Sequence, residues 1–207
     1  MDLGSKHVRI PSYKELFYLH PDYYQPNPDI LEILGVKEDE TYSIVRFVSW
    51  QAHHDIGQKG ILDKKELVQT LEAYGRVFIT SEAPLDTELE KYRIKIPIDR
   101  IHDALYYAQL FFSDSQTMTT EAAILGTPAI RCNTFVGKND MTNFIELEQQ
   151  YGLIYNFSEI SPAIEKAKEL LSSPNVNDEW AEKRRKLLAQ KVDPNKIFME
   201  MILNANK

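Results

Sequence analysis

Leu110 to Arg131, LFFSDSQTMTTEAAILGTPAIR, constrains the fold more than any other stretch of this chain. The apolar run Leu110, Phe111 and Phe112 passes directly into Ser113, Asp114 and Ser115, so a buried strand should end where the polar groups begin. Thr117 is placed to cap a helix from about Met118 to Leu125, which Gly126 stops and Pro128 prevents from continuing. A second apolar strand then leads to Arg131. A turn of this kind presents free backbone N–H groups and small hydroxyls at a helix N-terminus, where the partial positive charge favours phosphate. Ser115, Gln116 and Thr117 are the candidate phosphate ligands, and Glu121, about one turn further in, can reach the hydroxyls of an attached ribose. The segment points to a nucleotide, and to a nucleotide-sugar in particular, at the edge of a parallel sheet.

The rest of the chain repeats the alternation. YSIVRFV (42–48) and RVFIT (76–80) are β-branched runs, and between them LDKKELVQTLEAYG (62–75) puts Leu67, Leu71 and Tyr74 on one helical face. RIKIPI (93–98) reads as a short third strand, IHDALYYAQ (101–109) and KNDMTNFIELEQQYG (138–152) as helices, and LIYNF (153–157) as a last strand. Strands alternating with helices imply an α/β, Rossmann-like, doubly wound parallel sheet covered on both faces. Three stretches follow. Residues 1–40, with Pro11, Pro21, Pro26, Pro28 and several tyrosines, form an irregular but ordered arm with a short helix near Asp29–Leu34; residues 41–158 form the nucleotide-sugar-binding domain. Residues 159–207 are helical and are expected to pack on that same domain, with Pro162 near the first turn of their first helix.

Composition limits what such a chain can do. At 207 residues, 43% hydrophobic and 27% charged, it can build one substantial core but not two full-sized domains. The net charge of −7 argues against a nucleic-acid surface. The one local basic run, Lys183 to Lys186, lies among acids and reads as a solvated helix face. Cys132 stands alone, which rules out an internal disulfide or a cysteine zinc site and leaves an inert core or rim thiol. No apolar run approaches the roughly eighteen residues of a membrane span, and the N-terminus has no signal-peptide core, so the cytoplasm is the expected compartment.

A second constellation, SWQAHHDIGQKG (49–60), follows the first strand and so falls at the carboxyl edge of a parallel sheet, where ligands bind. Either His53 or His54 can donate to phosphate there, and Gly57 and Gly60 let the loop fold over it. Arg46, inside an otherwise apolar strand, requires a carboxylate or phosphate partner, and Arg131 at its strand end is a comparable candidate for the site rim. Asn133 can contribute beside it. His53, His54, Asp55, His102 and Asp103 supply metal-ligand chemistry by type, but no ligand spacing is met and no metal is expected. His102 and Asp103 read better as the start of a helix, and Tyr106 and Tyr107 as its core or rim residues.

SYKELFYLHP, VRFVSWQAHHDIGQKG, KIPIDRIHDALYYAQLFFSDSQTMTTEAAILGTPAIR and YGLIYNFS together resemble the C-terminal half of an uncharacterised prokaryotic family. That family is similar to the non-hydrolysing UDP-GlcNAc 2-epimerases and, more remotely, to glycosyltransferases of the two-Rossmann GT-B type. The epimerase pattern Asp-Ser-Gly-Gly-x-x-x-Glu-Ala is met by Asp114, Ser115, Glu121 and Ala122, with Gln116 and Thr117 in place of the two glycines. The resemblance implies that Ser115 and the amides after it bind a diphosphate, that Glu121 binds the uridine ribose, and that a histidine of the 53–54 pair stands beside the diphosphate. Gln116 and Thr117 narrow the backbone's approach to phosphate but can donate to it themselves.

The resemblance further implies a missing N-terminal Rossmann-like half carrying much of the acid–base machinery. Two functions follow. One is the donor-binding half of an epimerase or glycosyltransferase, with a UDP-sugar as ligand, no cofactor, no turnover alone, and an exposed apolar docking face that can also pair with itself as a homo-oligomer. The other is a noncatalytic nucleotide-binding or assembly module that keeps the fold without the reaction.

Overall fold

The computed structural model describes residues 4, 7–37, 39–49, 60–137 and 140–205. Among these residues five strands, β1 (Tyr42–Phe47), β2 (Arg76–Ser81), β3 (Leu110–Ser113), β4 (Ala129–Cys132) and β5 (Ile154–Phe157), make one wholly parallel sheet in the order β2-β1-β3-β4-β5. β3 and β4 are buried at every position, the mark of central parallel strands covered on both faces. The helices are α1 (Leu16–Leu19), α2 (Asp29–Leu34), α3 (Lys64–Glu72), α4 (Ile101–Tyr107), α5 (Gln116–Leu125), α6 (Thr142–Gln149), α7 (Ile160–Ser172), α8 (Val176–Gln190) and α9 (Pro194–Ala205).

Alternation along β1 separates the two faces. Tyr42 donates its hydroxyl to Ala104 O of α4 at 2.7 Å, whereas Phe47, of opposite parity, takes Lys64 of α3 over its ring. Thus α3 and α7 cover one face and α4, α5 and α6 the other. Strand order runs one way through β1 and β2 and the other through β3, β4 and β5. The carboxyl ends of β1 and β3 therefore flank a topological switch point, the crevice where open α/β sheets place ligands.

Local chemistry explains most element ends. Asp63 accepts from Glu66 N at 3.4 Å and starts α3, whose Leu67, Val68 and Leu71 are buried. Gly126 ends α5 at φ 87°, and its N–H reaches the carbonyls of Ala122 and Ala123. A side chain there would also strike Arg184 Cδ at 2.7 Å, so both conformation and space require glycine.

The structure corrects four expectations. RIKIPI is not a strand: it makes one bridge, Arg93 beside Ile79 with Ile94 N donating to Ile79 O, after which Pro97 removes a donor and Ile98–Arg100 turn as a 3₁₀ helix. Ser115, not Thr117, is the N-cap residue, and α5 begins at Gln116. Tyr74 lies past the end of α3 with its side chain partly exposed, outside the buried face of Leu67 and Leu71. The basic run is only partly solvated. Arg184 donates to Ile124 O and Lys186 to Gln150 O, each near the carboxyl end of a helix, where a cation is favoured; Arg185 stays exposed.

Tyrosines tie the N-terminal stretch down. Tyr13 donates to Glu146 of α6 at 2.5 Å, Tyr18 to Glu121 of α5 at 2.9 Å, and Tyr24 to Asp103 of α4 at 2.5 Å. Tyr23 donates to Asp193, just before α9, at 2.6 Å. Four phenol–carboxylate bonds thus fasten one short arm to four separate elements, while Leu16, Leu19 and Ile30 enter the core.

Candidate functional site

The polar turn after β3 is built from its own side chains. Ser113 Oγ accepts from Ser115 N at 2.7 Å and donates to Arg46 O at 3.3 Å, which fixes the turn against β1. Asp114 accepts from Val48 N at 2.9 Å and Ile61 N at 3.4 Å. Its carboxylate therefore holds both ends of the segment between β1 and α3. Asn133 Nδ2 donates to Asp114 O at 3.0 Å, so Asn133 braces the turn from β4.

Ser115 has extended backbone angles, yet its hydroxyl caps no amide of α5. The orphan N–H groups of the first turn therefore lack the usual side-chain acceptor. Beside them opens a cavity of about 370 Å³, lined by Gln116, Thr117 and Thr120 of α5, by Ser12 to Glu15 of the arm, and by Met141, Asn143 and Phe144. Ser12, Lys14, Gln116, Thr117, Thr120 and Asn143 bring polar groups to an otherwise largely apolar lining, and beside an uncapped helix N-terminus such groups suit an anion that carries hydroxyls.

Glu121 faces the arm. Its Oε1 accepts from Tyr18 Oη at 2.9 Å and lies 3.2 Å from His102 Nε2. Burial pushes the carboxyl up, but the bonds from His102 and Tyr18 outweigh it and hold Glu121 below the ordinary carboxylate range. Neither partner is near in sequence. A lowered folded-state value means that this stability is present above the unfolded carboxyl's range, about pH 4.5, and is lost as pH falls below it. In acid titrations followed by circular dichroism, Glu121→Gln should flatten the decline below that pH, and Tyr18→Phe should cost about 1 kcal/mol near neutrality.

The two arginines serve the sheet. Through the strand register, Thr80, Arg46, Ser113, Arg131 and Asn156 form one row across all five strands on the α5 face. Arg46 donates to Thr80 Oγ1 at 2.8 Å and to Glu82 at 2.6 Å, and Glu82 in turn accepts from Ser49 N at 3.2 Å. Arg131 is wholly buried; its Nε donates to Asn156 at 2.8 Å, its Nη2 binds Asp140, and its guanidinium stacks 3.6 Å from the Phe144 ring centre. Among the described residues, Arg46 Nε and Arg131 Nη1 are buried nitrogens without a hydrogen-bond partner. Burial lowers Arg131's hold on its proton, and Asp140 opposes the effect.

Ser115, Gln116 and Thr117 are thus brought together at the head of α5, Glu121 lies further along the helix against the arm, and Arg131 sits behind Phe144. Arg46 belongs to the β1–β2 side of the same edge. His53 and His54, with Asp55, lie outside the described residues. Tyr18 and Glu15 carry no local signal because only the fold brings the arm onto α5, and His102, read as the start of a helix, meets Glu121 through the packing of α4 on α5.

Asp103 is fully committed, to Tyr24, to Asn27 N at 3.0 Å and to Arg100 at 2.5 Å. Among the described residues, His20, Asp22 and Asp193 group metal-ligand atoms within 4.8 Å, but Lys196 Nζ already stands 3.4 and 3.3 Å from the two carboxylates. Cys132 is buried, its thiol pushed up to about 11 by burial. A cavity of about 410 Å³ opens at the opposite edge of the sheet, by Thr41, Gln109 and Pro128. That edge carries the amino ends of the strands, away from the switch point.

The fold is a Rossmann-like parallel α/β sheet that matches one half of the GT-B glycosyltransferase fold. The chain matches the family described as "Protein of unknown function (DUF354)" over residues 3–207 and belongs to it. No curated protein matches it. Among solved structures it is similar to the wall teichoic acid polymerase TagF after a CDPG soak, at 17% identity and TM-score 0.56, covering 96% of this chain and 50% of that one. It is also similar to the spinosyn forosaminyltransferase SpnP, at 13% identity and TM-score 0.51, covering 88% and 49%. A third is the Streptomyces sp. SF2575 glycosyltransferase SsfS6 complexed with thymidine diphosphate, at 11% identity and TM-score 0.51, covering 84% and 45%. The chain spans about half the length of each.

Proposed function

We propose that this chain is the donor-binding half of a GT-B-like carbohydrate-active enzyme, holding the diphosphate of a nucleotide-sugar at the head of α5. The observation that carries this reading is the uncapped first turn of α5, which follows β3 at the carboxyl edge of the sheet and borders a cavity between α5, the arm and α6. The amides and side chains of Ser115, Gln116 and Thr117 receive the phosphates; His53 or His54, outside the described residues, is the histidine that the epimerase resemblance implies beside the diphosphate. The sugar is positioned here, while acid and base come from a second Rossmann-like half, so this chain alone is inactive. UDP is the nucleotide implied by the epimerase resemblance. CDPG and thymidine diphosphate, named with two of the structural neighbours, make CDP and TDP the natural competitors to test beside it.

Among the described residues, no helix is long and apolar enough to cross a membrane, which fits a cytoplasmic enzyme. On α9, Phe198, Met199, Met201, Ile202 and Leu203 are exposed. An apolar helix face of this kind favours covering by further polypeptide, whether the partner half or a second copy.

Thr117→Glu separates binding from folding. An acid in the first turn of a helix is favoured by its dipole by about 0.3–1 kcal/mol, so the variant should melt no lower than the parent. The same charge repels a diphosphate. UDP and UDP-sugars should raise the melting temperature of the parent and leave Thr117→Glu unmoved. Equal shifts in both would place the phosphate elsewhere.

A further inference from the structure

The cavity at the amino edge of the sheet holds an arginine that the fold leaves without an acid. Arg46 pairs with Glu82, Arg76 with Glu40, Arg93 with Glu90, Arg100 with Asp103, Arg131 with Asp140 and Arg185 with Glu182. Among the described residues, Arg184 and the exposed Arg9 have no such partner. Arg184 is half-buried on α8. Its Nε donates to Ile124 O at 2.9 Å near the carboxyl end of α5, and its stem packs where Gly126 has no side chain. One bond to a neutral carbonyl leaves the charge without a counterion. Burial accordingly weakens the hold of Arg184 on its proton, and only Tyr106 opposes the effect.

Arg184 lines a cavity of about 410 Å³, and its guanidinium carbon stands 6.0 Å from the ring centre of Tyr106, which lines the same cavity and is 36% exposed. Tyr107, Gln109 and Asn177 add hydrogen-bonding groups to the wall, and Leu188 adds apolar surface. Among the described residues, no protein group bonds the hydroxyl of Tyr106 or of Tyr107. Burial pushes the Tyr107 phenol up, so near neutrality it remains a donor. The acid in the lining, Glu40, is already engaged by Lys37 N at 3.1 Å and by Arg76. A guanidinium fork without an acid, with free phenols and a half-exposed ring beside it, matches an oxyanion carried on a flat apolar body. The site is separate from the nucleotide site, because α5 has Ser115 at one end and this cavity at the other.

We propose that this cavity binds a small ring-bearing oxyanion, with the phosphate or carboxylate group on Arg184 and the ring against Tyr106. Both head groups offer the planar pair of acceptor oxygens that a guanidinium recognises. The basic run of the sequence then has a use beyond solvating a helix face. Its Arg185 and Lys186 are occupied by Glu182 and by Gln150 O, which leaves Arg184 for the ligand.

The test follows the backbone amides of the nitrogen-15-labelled full chain during titration with phenyl phosphate, benzoate, inorganic phosphate and, as the uncharged control, benzyl alcohol. Phenyl phosphate or benzoate should give saturable shifts at Gln109, Gly126 and Ala181, and the tighter of the two names the head group. Benzyl alcohol should give none. Arg184→Met keeps the stem beside Gly126 and removes the charge, so the same anion should bind it at least about tenfold more weakly. Tyr106→Ala, at a partly exposed position, should erase any preference for phenyl phosphate over inorganic phosphate and weaken the ring-bearing anion. It carries the test alone if loss of the bond to Ile124 O unfolds Arg184→Met. Absence of saturable shifts at these amides with either ring-bearing anion at millimolar concentration overturns the proposal. Unchanged binding in either folded variant, or benzyl alcohol binding as tightly as the anions, overturns it too. Shifts confined to Gln116 and Thr117 would also overturn it while supporting the phosphate site at the head of α5.

Discussion

Asp140→Ala lowers the stability of the fold by about 3–5 kcal/mol, because removing one member of a buried ion pair strands the other. Arg131 is completely buried, and Asp140 is its only carboxylate partner among the described residues. Its other contacts, Asn156 and the Phe144 ring, cannot neutralise a guanidinium. Arg131→Met in the same background should recover much of the loss, since the apolar side chain keeps packing on Phe144 without a charge to compensate. Urea unfolding of the two single variants and the double variant gives the comparison. Purely additive losses would mean that the pair is not coupled.

The second large effect is at Trp180. This side chain is 1% exposed, and its Nε1 donates to Leu153 O at 2.9 Å, which fastens α8 to the start of β5. Trp180→Ala should cost about 3–5 kcal/mol from lost burial and the cavity left behind. Trp180→Phe keeps a large part of the apolar volume and leaves the Leu153 carbonyl unsatisfied, for a loss of about 1–3 kcal/mol. Thermal melts rank the three proteins. If Phe and Ala cost the same, the hydrogen bond rather than the packing fastens α8 to the sheet.

Much of the architecture was legible because the signals are local. The apolar run Leu110 to Phe112, the polar turn after it and the Gly126–Thr127–Pro128 stop are all encoded within a few residues of the features they produce. The same holds for the Asp63 cap and for the alternation that predicts a parallel sheet. Where two local signals compete, the reading slips. Ser115 and Thr117 both carry cap chemistry, and the choice between them depends on where Ser113 Oγ holds the backbone. RIKIPI has the alternation of a strand, but Pro97 and the surrounding 3₁₀ turns limit it to one bridge.

The site was legible in part, for the opposite reason. The head of α5 is local and could be read from Ser115, Gln116 and Thr117. What surrounds it is not. Tyr18 meets Glu121 across more than a hundred residues, and Glu15 reaches the same helix only because the arm is strapped down by four tyrosines. Arg46 and Arg131 were marked as residues in need of an anion, and in the fold each pairs with a carboxylate of the protein, Glu82 and Asp140. Periodicity identifies the face on which such a residue sits but cannot tell an internal partner from a ligand.

Backbone amide spectra of the full chain, labelled with nitrogen-15 and titrated with UDP-GlcNAc, show whether the first turn of α5 receives a diphosphate. Saturable shifts are expected at the amides of Gln116, Thr117 and Met118, abolished in Thr117→Glu. Saturable shifts confined to other parts of the protein, such as the opposite sheet edge around Thr41 and Gln109, or no shift at millimolar ligand, would contradict it.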